Sequence, residues 1–550
     1  MPTDPTPPRF WTSLCDHLAA NGTDFVAGFP SDTPSLVDAA CLHSELTAVV
    51  PRDQKMLGPM AAGYTHRTGR PAAIEISSGP SLANAVTGLA ELASMGLPAV
   101  VVVGSVPESR RGRGDFQDLA QRSLLEPLSV WYHAVDDPAD VPWAVRTALW
   151  QARGPRPGLA VLDIPFPVGD GDPAPAPTDA APTTPPTADC SPSDVDTAAE
   201  LLRRSERPLI LIGGGARAAG AGAESLALAE VLEAPILSTA SGRGCVPEDR
   251  DPYLGLAGLY RNPAVAEAVE HADAVVCAGS RLEETARMKW DGLERTALIR
   301  IDTDHNAQSS GPEADVFLRA DARTALRRLT AALPARDRTA WRAERVRARE
   351  NLLDRAGGGS VAATLRALTD AYDDSPWLLA QENGFHDLWG YDFPTLHLGR
   401  NGSVVTPGEQ TMMGFALPAL LGAAMADTGE DLVAACGDGA LEMSMPALAT
   451  LRRHRIGATV LVWDNGGWGW PRSERTATAH LMDFGESRTL PSLAGMFDAV
   501  LDADDPTTSL RTAKENARKG ELSLIAVSAD DAAAPPAADE ESPGPEGGHG

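Results

Sequence analysis

Residues 436–470 read CGDGALEMSMPALATLRRHRIGATVLVWDNGGWGW. An apolar run before Gly437-Asp438-Gly439 and a second run, ATVLVW, before Asp464-Asn465-Gly466-Gly467 have the texture of buried parallel strands. The stretch between them predicts a helix ending near His454. In a parallel sheet such a strand-helix-strand unit returns to the same edge, so Asp438 and Asn465 are expected at neighbouring strand tips. One carboxylate and one amide oxygen suit a hard cation that keeps phosphate or water oxygens, as Mg²⁺ does. The helix that follows GDG starts at the same place, where phosphate is favoured.

The same texture recurs outward along the chain. PAVVVVG (98–104), GLAVLDI (158–164), PLILIGGG (208–215), DAVVCAG (273–279), ALIRIDTD (297–304) and DLVAACGDG (431–439) are apolar runs closed by Gly or Asp, separated by amphipathic stretches. This pattern predicts an α/β chain of three doubly wound parallel-sheet domains. The glycines of GGGARAAG fit a tight strand-to-helix turn as well as a nucleotide site.

Composition marks the boundaries. Residues 169–193 are too rich in proline for helix or central strand and read as an extended linker. A charged helical stretch at 336–357 forms a second linker, and 529–550 reads as a disordered acidic tail. The expected domains are therefore 1–168, 194–335 and 358–528.

The chain has 550 residues, 75 acidic and 47 basic, for a formal net charge of −28. That surface offers no basic footprint for nucleic acid or anionic membrane. No apolar run reaches the length of a membrane span, and the start MPTDPTPPRF lacks the features of a secretion signal. The six cysteines are scattered without a CxxC, as expected of reduced thiols in a cytoplasmic protein.

GDG followed by Asn465, 27 residues after Asp438, resembles the thiamine-diphosphate signature of the acetolactate synthase and pyruvate decarboxylase superfamily. The resemblance implies Mg²⁺ held by Asp438, Asn465 and the carbonyl of Gly467. It also implies that Gly437, Gly439 and Ala440 line the diphosphate site. GEQTMMGFALPALLGAA (408–424) is similar to the segment that cradles the thiazolium, with Met413 supporting the bent cofactor. QENGFHD (381–387) resembles a stretch whose Gly-x-His lies by the diphosphate, which implicates His386.

FVAGFPSDTPSLVDA (25–39), RDQKMLGPMAAGYTHRTGRPA (52–72), SSGPSLANAVTGLAEL (77–92) and DFQDLAQRSLLEPLSVW (115–131) resemble the pyrimidine-binding domain in order, and the middle segment resembles the central domain. Pro30 and Asn84 are the cofactor contacts this implies. LAGLYRN (256–262) resembles a flavin-contacting loop only loosely, so flavin binding is left open. Such enzymes share the cofactor between subunits, so an obligate homodimer or a tetramer is implied.

The sequence also departs from the family. The family glutamate that activates the cofactor through its pyrimidine falls on Gln54, with Asp53 beside it. An amide fills the same space and hydrogen-bonds but does not exchange a proton. The chain therefore activates the cofactor differently, uses Asp53 instead, or only binds. Asp32 in GFPSD matches an acid of the decarboxylases, while their paired histidines, expected near Asp115-Phe116, are absent. DFQD is similar to the synthases' stretch, placing Phe116 and Gln117 on the substrate side. Trp468 and Trp470 fall in a loop that roofs the site in relatives, where aromatics stack on a planar substrate or close the pocket, and Trp470 is a candidate cofactor contact.

The expected activity is carboligation: decarboxylation of a 2-oxo acid and transfer of its acyl unit to an acceptor carbonyl. Simple decarboxylation and cofactor binding without turnover are the alternatives.

Overall fold

Apolar runs that end in Gly or Asp become parallel strands throughout. The structure, a computed structural model, describes residues 7–29, 35–166, 168, 185, 189–309, 311–355, 358–485 and 489–529. Pro30, Asp32, most of the expected 169–193 linker and nearly all of the expected tail lie outside the described residues.

Three six-stranded, all-parallel sheets with flanking helices form the fold. The first contains β1 (Phe25–Gly28), β2 (Thr47–Val49), β3 (Ala72–Ile76), β4 (Ala99–Ser105), β5 (Ser129–Ala134) and β6 (Leu159–Pro165), in the order β2-β1-β3-β4-β6-β5. The second contains β7 (Pro208–Ile212), β8 (Ile236–Ser238), β9 (Tyr253–Leu256), β10 (Ala274–Ala278), β11 (Ala297–Asp302) and β12 (Val316–Arg319), in the order β12-β11-β10-β7-β8-β9. The third contains β13 (Trp377–Gln381), β14 (Gly402–Val405), β15 (Asp431–Gly437), β16 (Ala458–Asp464), β17 (Ala499–Leu501) and β18 (Leu522–Ser528), in the order β14-β13-β15-β16-β18-β17. In each order the connection reverses near the middle, which leaves a crevice at the carboxyl ends of the strands.

The chain divides into two compact units. One comprises residues 1–186, 407–428 and 443–456 and holds the first sheet; the other comprises 187–406, 429–442 and 457–550 and holds the second and third sheets. In the first unit, Phe10, Leu14, Val26, Val100, Val145 and Leu162 pack into one apolar core under one face of the sheet. In the second unit the middle sheet has its own core, centred on Ile210, Leu211, Val275 and Ile299.

The stretch expected as a helical linker is helix Thr339–Asp354, and its Trp341, Ala348 and Leu352 belong to that same core. The Trp341 indole N–H donates to Pro208 O at 2.8 Å. In GGGARAAG, a Cβ at Gly213 would lie 2.3 Å from the Gly279 carbonyl oxygen. The tips of β7 and β10 touch there, so the glycine is required by packing alone.

Among the described residues no helix is long and apolar enough to cross a membrane.

Candidate active site

In the second unit, β15 and β16 are parallel neighbours, with Gly437 opposite Trp463. Asp438 and Asn465 therefore leave adjacent strand tips, as expected from their spacing. Asp438 opens helix Asp438–Arg453 and is buried. Its Oδ1 accepts from Gly439 N at 3.0 Å, so the carboxylate is turned back over the first turn of the helix.

Asn465 sits in a turn closed by several bonds. Its Oδ1 accepts from Gly467 N at 3.2 Å, and Arg472 Nη2 donates to its carbonyl at 2.8 Å. Trp468 N donates to Met482 O at 2.9 Å and Phe484 N to Gly466 O at 2.9 Å, which anchors the loop to residues 482–484. The Trp468 ring lies over the helix start. A Cβ at Gly439 would fall 2.5 Å from it, so only glycine fits beneath. Trp468 packs edge-on against Phe484 at 5.2 Å, and Trp470, 38% exposed, meets Phe385 edge-on at 6.3 Å.

Two acids at this corner were not singled out as site residues from sequence, although QENGFHD contains both. Glu382 and Asp387 are buried beside Asp438. Burial first, and then the Glu382 and Asp438 charges, push the Asp387 carboxyl far above the usual carboxylate range. Gly437 N and the Trp463 side chain bond to it, while its Oδ1 is a buried acceptor without a partner. His386 begins the short helix His386–Tyr391.

That helix is pinned from the middle sheet's side. Arg243 and Glu248 form a fully buried ion pair at 2.9 Å. Arg243 Nη1 donates to Gly390 O at 2.5 Å, and Glu248 Oε2 accepts from Leu398 N at 2.8 Å. Tyr260 stacks on Tyr391 at 4.1 Å, and Asn262 Nδ2 donates to Asp392 Oδ1 at 3.0 Å.

The first unit carries the other predicted residues. Gln54 opens a short 3-10 turn, Gln54–Met56, that runs into helix Leu57–Thr68. Asp53 caps it: its Oδ1 accepts from Lys55 N at 2.8 Å and from Asn84 Nδ2 at 3.0 Å. Asn84 Nδ2 also donates to Gln54 Oε1 at 2.7 Å. The shared donor fixes the glutamine's orientation, with Oε1 on Asn84 and Nε2 directed elsewhere as a donor.

Gln117 adopts a left-handed backbone (φ 59°), and its Oε1 accepts from Ser78 Oγ at 3.3 Å. That conformation is uncommon for a residue with a side chain and is held here by its surroundings. Phe116 beside it is 81% exposed. Met413, half-buried, follows a loop whose amides bond to Glu91, a residue the sequence reading passed over.

The residues present fit thiamine diphosphate and Mg²⁺. Asp438, Asn465 and the Gly467 carbonyl are a hard-oxygen donor set with a single negative charge, which leaves coordination positions for phosphate oxygens. Among the described residues no group of three His, Cys, Asp or Glu side chains forms an all-protein metal cage.

Comparison with known proteins bears on the whole chain. The thiamine pyrophosphate enzyme N-terminal TPP binding domain matches residues 9–124, the central domain 195–329 and the C-terminal TPP binding domain 382–525. A probable acetolactate synthase large subunit of Methanocaldococcus jannaschii is 28% identical over 91% of this chain and 89% of its own length. The acetolactate synthase of Arthrospira platensis is 28% identical over 84% and 82%, and isozyme 1 large subunit of Escherichia coli is 26% identical over 83% and 81%. The chain thus belongs to the thiamine pyrophosphate enzyme family and is an acetolactate synthase-like, thiamine-diphosphate-dependent enzyme.

Proposed function

We propose that the chain is a homodimeric, Mg²⁺-dependent carboligase that decarboxylates a 2-oxo acid and passes the acyl unit to an acceptor carbonyl. The observation that carries this reading is the pairing of Asp438 and Asn465 on adjacent parallel strand tips, at the amino end of helix Asp438–Arg453. Bound thiamine diphosphate supplies a nucleophilic carbon and an electron sink for such chemistry.

Asp438, Asn465 and the Gly467 carbonyl would hold the metal, and the amino end of helix Asp438–Arg453, at Gly439 and Ala440, would receive the diphosphate. Trp468 covers the first helical turn and keeps water from it. Trp470 and Phe385 make an aromatic wall beside it.

Gln54 would hold the pyrimidine ring by donating a hydrogen bond from Nε2, because Asn84 occupies its oxygen. The amide positions the ring and moves no proton. Asp53 serves instead as the cap of this turn. Its Oδ1 serves both the turn and Asn84, and releasing it would forfeit the cap. With an amide at this position and no proton exchange from it, slow turnover is the outcome this reading expects.

The test is the unaltered protein with thiamine diphosphate and Mg²⁺ on a panel of aliphatic and aromatic 2-oxo acids, reading CO₂ release and product. A hydroxy ketone product is expected. Aldehyde alone sinks ligation in favour of simple decarboxylation. Cofactor binding with no consumption of any 2-oxo acid sinks catalysis altogether. The lost carboxylate at position 54 makes that last outcome the competing reading.

A further inference from the structure

Glu91 lies on helix Pro80–Ser94 with its whole side chain buried. It stands on the face that also buries Leu82, Ala85, Leu89 and Leu92, where a carboxylate is costly without partners. Its partners are main-chain amides far along the sequence. Gly408 N donates to Oε1 and Met412 N to Oε2, each at 2.6 Å. Ser94 Oγ adds a bond to Oε1 at 3.2 Å. Burial pushes the Glu91 carboxyl above its ordinary range, and the Met412 and Gly408 amides pull it back. Short bonds to both oxygens are the charge-assisted kind.

The loop so held is strained. Thr411 has φ 48° and Gly414 φ 83°. A β-branched residue in the left-handed region persists only where its surroundings over-determine it. Glu91 grips the amide immediately after Thr411 and the one three residues before it. There is no slack at the grip: a Cβ on Gly408 would lie 2.5 Å from Ser94 Oγ and 3.0 Å from Glu91 Oε1. The next residue after the clamped Met412 is Met413.

We infer that Glu91 is a positioning residue, a carboxylate clamp that holds the 408–412 loop in its strained form so that Met413 is presented to the cofactor. The inference rests on the thiamine-diphosphate reading for its second half only; the clamp itself stands on the geometry of the first unit.

The test uses the full chain and the isosteric variant Glu91→Gln. Glutamine keeps one acceptor and turns an N–H donor towards a main-chain N–H, so one bond is lost and a repulsion takes its place. Amide hydrogen exchange is read at Gly408 and Met412, and thiamine diphosphate affinity by titration in Mg²⁺. Exchange at both amides is expected to rise, and the dissociation constant to weaken, by about 10- to 100-fold. The remaining folded protein should keep a cooperative melt.

A merely structural role would lower the melting temperature and leave cofactor affinity of the folded fraction unchanged, which overturns the proposal. Unchanged exchange at Gly408 and Met412 overturns the clamp. Should Glu91→Gln fail to fold, Gly408→Ala displaces the loop with Glu91 intact; it must weaken cofactor binding likewise, and unaltered affinity sinks the inference. Failure of the unaltered protein to bind thiamine diphosphate sinks the cofactor reading and the role given to Met413, while the exchange measurement still decides the clamp.

Discussion

The corner at 438–467 and the corner at 53–84 use the same device with different endings. Each puts polar side chains where a strand or turn hands over to a helix. At the first corner a carboxylate and an amide leave adjacent parallel strand tips, residue types that suit a phosphate-bound cation. At the second, three polar side chains bond mainly to one another: Asn84 bridges Asp53 and Gln54. On the proposed reading, holding a cofactor and activating it are separable: Asp438 and Asn465 serve the first, and Gln54 stands where the resemblance implies an activating acid.

The sharpest way to test that contrast is Gln54→Glu. A carboxylic acid there can exchange a proton where the amide cannot, a contribution of about 10²–10⁴-fold in general acid–base catalysis. CO₂ release per bound cofactor should rise by that factor, with cofactor affinity changed little. An equal or lower rate would mean that the site has been rebuilt around the amide, and the comparison between the corners would lose its meaning.

The first unit does have a carboxyl near its sheet tips that burial pushes upward, at Glu75 on β3. Its oxygens accept from Leu36 N at 3.1 Å and Val37 N at 2.6 Å, at the start of helix Leu36–Leu42. Burial raises its pKa from 4.5 to about 7, against the pull of Ser35 and those two amides. The sign follows directly. Below the ordinary value both folded and unfolded chains hold the proton. Between about 4.5 and 7 only the folded chain does, so stability falls as pH rises through that window. The loss is about 3 kcal/mol. Glu75→Gln should cost stability at low pH, where an acceptor is lost, and should flatten this slope. Unfolding curves at several pH values check it; parallel pH dependence in the two proteins refutes the assignment.

How much of this was legible beforehand differs between the corners for a physical reason. Strands announce themselves through apolar runs ended by Gly or Asp, and the Asp438–Asn465 spacing is one strand-helix-strand unit long, so local rules suffice. Asp53 as a cap and Asn84 as the donor that orients Gln54 depend on a contact across 30 residues, which no local pattern specifies. Glu91 meets its partners more than 300 residues away, although an acid on the apolar face of a helix is itself a signal. Glu382 and Asp387 lie in QENGFHD, but their burial is a tertiary fact that no local pattern specifies.

The smallest predicted effect falls on the holding corner. Asp438→Asn keeps the shape and one oxygen donor but removes the site's single ligand charge. Charged hydrogen-bonded partners contribute about 1.5–3 kcal/mol each, so thiamine diphosphate affinity at fixed Mg²⁺ should weaken by about 10- to 100-fold. The crowding of acids matters here. Removing the Asp438 charge also removes one of the charges that, after burial, push the Asp387 carboxyl upward. Raising Mg²⁺ should recover binding in the variant, because only the metal's grip has weakened. A loss of affinity that no amount of Mg²⁺ restores would mean that Asp438 contacts the cofactor without the metal, and the two corners would then differ in more than the presence of an activating acid.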